Sequence, residues 1–178
     1  MAKNKLKKFA ELETFPHVVQ PTLDQLNDSL KHKGMWGLNF FKNTNPIVLE
    51  LGCGKGEYTI ALAKQFPEKN FIGVDIKGSR IWSGAKESFD KKLKNVAFLR
   101  IRIGMICQCF SKNEIDEIWI TFPDPQLKKN RSTKRLTHPN FLHRYNNIMK
   151  KEGQIHLKTD SQFLHGFTLG IILGENHI

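Results

Sequence analysis

Ile47-Val48-Leu49-Glu50-Leu51-Gly52-Cys53-Gly54-Lys55-Gly56 is the stretch whose reading decides the fold. Apolar β-formers run straight into three glycines at alternate positions, and Glu57-Tyr58-Thr59-Ile60-Ala61-Leu62-Ala63 follows with a helix-like pattern. Strand, tight glycine turn and helix form the opening unit of a nucleotide-binding α/β sheet. Glycines in such a turn adopt positive φ and let the backbone pass close to a ligand. A dinucleotide fingerprint, G-x-G-x-x-G, needs its last glycine where this chain has Glu57, and Gly56 arrives one residue early. Acidic Glu50 at the strand end would repel a pyrophosphate. The turn therefore suits a ligand with a cationic, amino-acid-like part and no phosphate, such as S-adenosylmethionine. Glu50, Gly52, Gly54 and Gly56 are its candidate contacts, with a purely structural glycine turn as the alternative.

Asn70-Phe71-Ile72-Gly73-Val74-Asp75-Ile76 reads as a second strand ending in a carboxylate. An acidic residue about 20 positions beyond the glycine turn is the usual partner of ribose hydroxyls, because a carboxylate accepts from both at once. Asp75 is thus a second candidate contact, unless it is only a solvated strand end.

From Pro46 onward, strands and helices alternate. Strands are expected at 47–51, 70–76, 95–100, 117–122 and 154–158. Helices are expected at 57–66, within 78–92, around 103–111, from Pro139 to about Met149, and from Gln162 to about Leu173. Such alternation implies parallel pairing with right-handed crossovers, and a ligand site beyond the carboxyl ends of the strands. Glu50, Asp75, Asp124 and Asp160 all fall at those ends. One methyl-donor domain over 46–178 is expected. A basic N-terminal arm and extension precede it over 1–45, lysine-rich and then broken by Pro16 and Pro21, and the arm is expected to be mobile.

The chain of 178 residues carries 28 Lys and Arg against 17 Asp and Glu, a formal charge of +11. Such a bias favours a polyanionic partner. Cysteines number three, too few and too closely spaced for a disulfide framework or the usual zinc pairs, so reduced thiols and no bound metal are expected. No apolar run is long enough to cross a membrane, and the basic N-terminus lacks the apolar stretch of a secretion signal, which suggests a cytoplasmic protein.

The charge is concentrated. Phe122-Pro123-Asp124-Pro125 leaves the fourth strand with two prolines bracketing a carboxylate, which holds Asp124 stiffly extended. Lys128-Lys129-Asn130-Arg131-Ser132-Thr133-Lys134-Arg135 follows, a cationic block placed to meet phosphate oxygens. The bland alternatives are a strand-stopping turn and a solvated loop.

Taken together, Glu50-Leu-Gly-Cys-Gly-Lys-Gly56, Ile72-Gly-Val-Asp75, Phe122-Pro-Asp-Pro125 with its basic tail, and Lys158-Thr-Asp160 resemble the bacterial tRNA (guanine-N7)-methyltransferase family. The resemblance runs from about residue 47 to 160. It implies a Rossmann-like class I S-adenosylmethionine-dependent methyltransferase fold and methyl transfer to N7 of a guanine in the tRNA variable loop. It also implies that Glu50 and Asp75 hold the cofactor, that Asp124 lies at the methyl-transfer site, and that Lys128 and Asp160 meet the substrate. Lys129, Arg131, Lys134 and Arg135 would join Lys128 in gripping tRNA. Two positions depart from the family pattern. Arg102 stands nearest the place of an Asp-Ala pair that holds adenine, and Gln126 replaces a tryptophan. The chain also ends at Ile178, before an antiparallel strand pair expected in the family. The sheet is therefore expected to be mostly parallel and to lack its last two strands, with the open edge allowing a monomer or a homodimer. A truncated, inactive RNA-binding remnant and a methyltransferase acting on another substrate are the competing readings.

Overall fold

The computed structural model describes residues 2–28 and 30–174, with side chains from Lys5 onward. The strands are β1 (Val18–Val19), β2 (Ile47–Leu51), β3 (Asn70–Asp75), β4 (Val96–Arg100), β5 (Ile115–Thr121) and β6 (Met149–Lys158). They form one sheet in the order β1-β4-β3-β2-β5-β6, parallel at every pairing. The main helices are α1 (Ala2–Thr14), α2 (Leu23–Asp28), α3 (Glu57–Gln65), α4 (Gly78–Asp90), α5 (Ile106–Cys109), α6 (Pro139–Asn146) and α7 (Gln162–Gly174). None is long and apolar enough to cross a membrane.

Side chains alternate across each strand, and both faces are apolar, as a parallel sheet covered on two sides requires. Leu49, Leu51, Ile72, Val74, Leu99, Ile118 and Ile120 pack with Trp36, Phe110 and Tyr145 on one face. Val48, Phe71, Val96 and Phe98 pack with Leu12, Phe15, Ile81 and Ala85 on the other. On this second face, the Phe98 ring fills a notch between backbones. A Cβ would come within 2.6 Å of it at Gly56, 2.9 Å at Gly73 and 2.7 Å at Gly84. That fit draws the glycine turn and α4 down onto the sheet.

After β2 the chain winds outward through β3 and β4 on one side, while β5 and β6 lie on the other. The winding reverses between β2 and β5. In open parallel sheets, ligands bind beyond the carboxyl ends at such a switch point.

The expected arm is instead an ordered part of the fold. Phe9 and Leu12 in α1 and Phe15 just after it recur every third residue, an apolar stripe that the lysine content hides. Leu12 and Phe15 are buried, the Trp82 indole donates to Glu11 Oε2 at 2.9 Å, and the Lys8 ammonium lies 4.3 Å from the Trp82 ring centroid. β1, between Pro16 and Pro21, adds an outer strand beside β4. The other difference lies at the far edge. The expected helix end at Met149 is already strand, because Met149 pairs with Ile115, and β6 carries an irregularity before Gln154 pairs with Glu117.

Candidate active site

A cleft of about 380 Å³ opens at the switch point, lined by Glu50 of β2, the turn residues Gly52 to Lys55, Tyr58, Arg80, Thr121 of β5 and Phe122. Its floor is Glu50, only 4% exposed. One carboxylate oxygen accepts from the Thr59 amide at 2.7 Å and from the Thr59 hydroxyl. The other accepts from the Thr121 hydroxyl at 2.6 Å. Burial pushes the Glu50 carboxyl above the ordinary carboxylate range, the bonds from Thr121 and Thr59 oppose that shift, and the charge of Asp75 adds to it. Burial beside these two acids also holds the Cys53 thiol well above its usual range, and the side chain packs in the core with Val48, Ala63 and Phe98.

The turn's own hydrogen bonds bear on the expectation of a ligand without phosphate. Gly52, Gly54 and Gly56 have φ of 78°, 56° and 74°, open to glycine at no cost. Yet the turn does not offer its amides as an anion nest. Gly52 and Cys53 donate to the Val74 carbonyl, and Gly56 donates to Cys53. Gly54 donates to Asp75 Oδ2 at 2.9 Å. The other Asp75 oxygen accepts from the Lys77 amide at 2.8 Å. A pyrophosphate would find those donors taken and the Glu50 carboxylate on the cleft floor.

At the cleft mouth, Phe122 is half exposed and sits at φ 46° directly before Pro123. A bulky residue there is strained, and such strain persists where surrounding structure imposes it. Its amide donates to the Lys158 carbonyl at 2.7 Å, which ties the β5 exit to β6. The Tyr58 and Phe122 ring centroids are 6.2 Å apart. The Lys158 ammonium lies 5.1 Å from the first and 5.7 Å from the second. Sequence reasoning gave no role to Tyr58, Phe122, Thr59, Thr121 or Lys158. The available signal was Thr121, a hydroxyl closing an otherwise apolar strand.

Asp75 and Glu50 end or nearly end β3 and β2, and Asp124 and Asp160 follow β5 and β6, four adjacent strands, so all lie at the same carboxyl-end rim. Of the four, Glu50 alone lines the cleft. Asp75 reaches it through Gly54. Asp124 and Asp160 are exposed on the rim beyond it. Asp124 Oδ1 accepts from the Gln126 amide at 3.0 Å, a local turn closed by the side chain.

Lys128, Lys129, Arg131 and Lys134 are exposed on or just before a short helical turn, Lys129–Lys134. Arg135 is not one of this group. It is 5% exposed. Its guanidinium donates to the carbonyls of Pro125 and Gln126 and lies 4.7 and 4.5 Å from the Phe163 and Phe167 ring centroids. A buried guanidinium so enclosed cannot reach a phosphate. Arg102 is exposed at the exit of β4 and lies outside the cleft lining.

The "Putative methyltransferase" family matches residues 44–172. The tRNA (guanine-N(7)-)-methyltransferase of Christiangramia forsetii is 56% identical over 99% of this chain and 79% of its own length. That of Bacteroides fragilis is 53% identical over 94% of this chain and 66% of its own length. This chain is shorter than both. Among solved structures, an antibiotic-related methyltransferase superposes with a TM-score of 0.59 over 83% of this chain and 69% of its own, at 20% identity, a likeness of fold. By the length and closeness of these matches, the chain belongs to the tRNA (guanine-N(7)-)-methyltransferase family.

Proposed function

We propose that this chain transfers the methyl group of S-adenosylmethionine to N7 of a guanine in the variable loop of tRNA, in the cytoplasm. The relatives bear that activity in their names and favour neither competing reading. The observation that supports the proposal is a cleft at the β2–β5 switch point whose floor is the buried, threonine-held carboxylate of Glu50. Its rim continues, two residues past Phe122, into Asp124 and then an exposed basic turn.

The residues present fit the cofactor. Each Asp75 oxygen accepts one amide and keeps a lone pair for a ribose hydroxyl. Glu50, held by two threonines, directs a negative charge at the ammonium of the methionine part. Tyr58 and Phe122 present ring faces to positive charge, as their approach to the Lys158 ammonium illustrates. When bound, S-adenosylmethionine supplies a methyl group already activated by its sulfonium.

Guanine N7 carries an in-plane lone pair and needs no general base. The chain's task is alignment, which supplies about 7–11 kcal/mol in favourable cases. Asp124 stabilises the positive charge that develops on the purine, or accepts from its N1–H and amino donors. Asp160 after β6 and Lys128 after β5 meet the substrate, while Lys129, Arg131 and Lys134 anchor phosphates. The test is incubation of the purified chain with bulk tRNA and methyl-labelled cofactor, followed by digestion to nucleosides. Label in 7-methylguanosine is expected; label in any other nucleoside, or none in RNA while the cofactor binds, rejects the proposal.

A further inference from the structure

We infer that Arg135 is a positioning residue: it clamps the Pro123–Gln126 loop to α7 and so fixes where the Asp124 carboxylate stands. The inference rests on the reading of Asp124 given above.

The loop has few other means of holding its shape. Asp124 is exposed, and its carboxylate bonds locally, to the amide of Gln126 two residues on. Gln126 itself sits at φ 48°, a left-handed conformation unfavourable for a residue with a Cβ. Something must hold Pro125 and Gln126 there. The Arg135 guanidinium does so with two donors in a fork, Nε to the Pro125 carbonyl at 3.3 Å and Nη2 to the Gln126 carbonyl at 3.1 Å.

The cation is held in turn. Phe163 and Phe167, one helical turn apart on α7, set their rings within 4.7 Å of it. α7 is itself anchored: Thr168 donates to the Thr137 hydroxyl at 2.8 Å, and Leu164 is buried. A buried charge needs compensation, and here two carbonyls and two ring faces supply it. The path runs from α7 through Arg135 to Pro125 and Gln126, and from the Gln126 amide to Asp124. A planar fork between two rings is a task lysine cannot perform, although lysine keeps the charge.

The test compares Arg135→Lys with Phe163→Leu, a milder change because Phe163 is half exposed. Deuterium uptake of the peptide covering 122–128 is measured without cofactor or tRNA. Methyl-transfer kcat and KM and the salt dependence of tRNA binding are measured alongside. Both variants are expected to raise uptake in 122–128 several-fold. Both should lower kcat at least tenfold, with the salt slope unchanged because the phosphate-binding cations are untouched. Unchanged uptake in both variants overturns the clamp whatever the activity. A slope reduced by about 0.7–0.9 in a third variant, Arg135→Gln, which removes the charge that lysine keeps, overturns it in favour of direct RNA binding by Arg135. Raised uptake with unchanged kcat leaves the clamp standing and removes Asp124 from the reaction, which separates failure of the functional reading from failure of the inference.

Discussion

The Thr121 hydroxyl donates to Glu50 across the seam between β5 and β2, the two strands where the sheet's winding reverses. Thr59, at the start of α3, bonds the other oxygen of the same carboxylate. One buried acid thereby joins both halves of the sheet to the helix behind the glycine turn, and its negative charge is fixed on the cleft floor.

The raised Glu50 carboxyl has a defined consequence for pH. Its native value lies above its unfolded one, so between the two the native state binds more protons. Stability from this group is therefore present at low pH and declines as pH rises through that window. Affinity for a cationic cofactor runs the opposite way and rises as Glu50 ionises. Calorimetric titration of S-adenosylmethionine across mildly acidic pH should show that rise. Glu50→Gln should flatten it, and Thr121→Val should move it to higher pH while costing about 1.5–3 kcal/mol of stability, the worth of a bond to a charged group. A pH-independent affinity in the unaltered chain would contradict this account of the cleft.

Asp124→Asn keeps size and turn geometry while removing the charge proposed to face the purine. Losing one electrostatic group of this kind costs about 10²–10³ in kcat. Single-turnover methylation of tRNA at saturating cofactor should fall by that amount, with cofactor affinity unchanged. A variant that methylates at the original rate shows that Asp124 does not act on the base.

How far these roles could be read from sequence depended on whether the signal was local. The strand at 47–51 and the helix from Glu57 were legible because the glycines separate two unlike periodicities. The positions of Glu50 and Asp75 at strand ends were legible because strand ends are. α1 was missed because its lysines outweigh the Phe9, Leu12, Phe15 spacing, and its stability comes from α4. Arg135 was misread for the same reason in reverse. Within Lys128–Arg135 it looks like the other cations, and only Phe163 and Phe167, beyond β6, remove it from solvent. The positive φ of Phe122 was equally hidden, since a residue before proline is expected to be extended.

The exposed cations make an electrostatic prediction that excludes Arg135. Neutralising Lys128, Lys129, Arg131 and Lys134 together should reduce the salt dependence of tRNA binding by about 0.7–0.9 in log–log slope for each phosphate no longer paired with a cation. Cofactor affinity should not change. The slope is best measured by filter binding over a range of monovalent salt, and an unchanged slope would place the tRNA backbone elsewhere on the protein.

Phe122 offers a test in which stability and activity part company. Its left-handed backbone costs about 1–2 kcal/mol for a residue with a Cβ. Glycine removes that strain, against a loss of about 0.5–1 kcal/mol from greater unfolded-state freedom. Because the ring is half exposed, little packing is forfeited. Phe122→Gly should therefore melt at or slightly above the original temperature. It also removes one of the two ring faces at the cleft mouth, and a cation over an aromatic face is worth about 0.5–2 kcal/mol. Methylation efficiency on tRNA should fall between about twofold and thirtyfold, and Phe122→Tyr should restore most of it. If Phe122→Gly loses stability and activity in parallel, the ring is a packing element; if it gains stability and keeps full activity, the strain serves some purpose other than presenting the ring to positive charge.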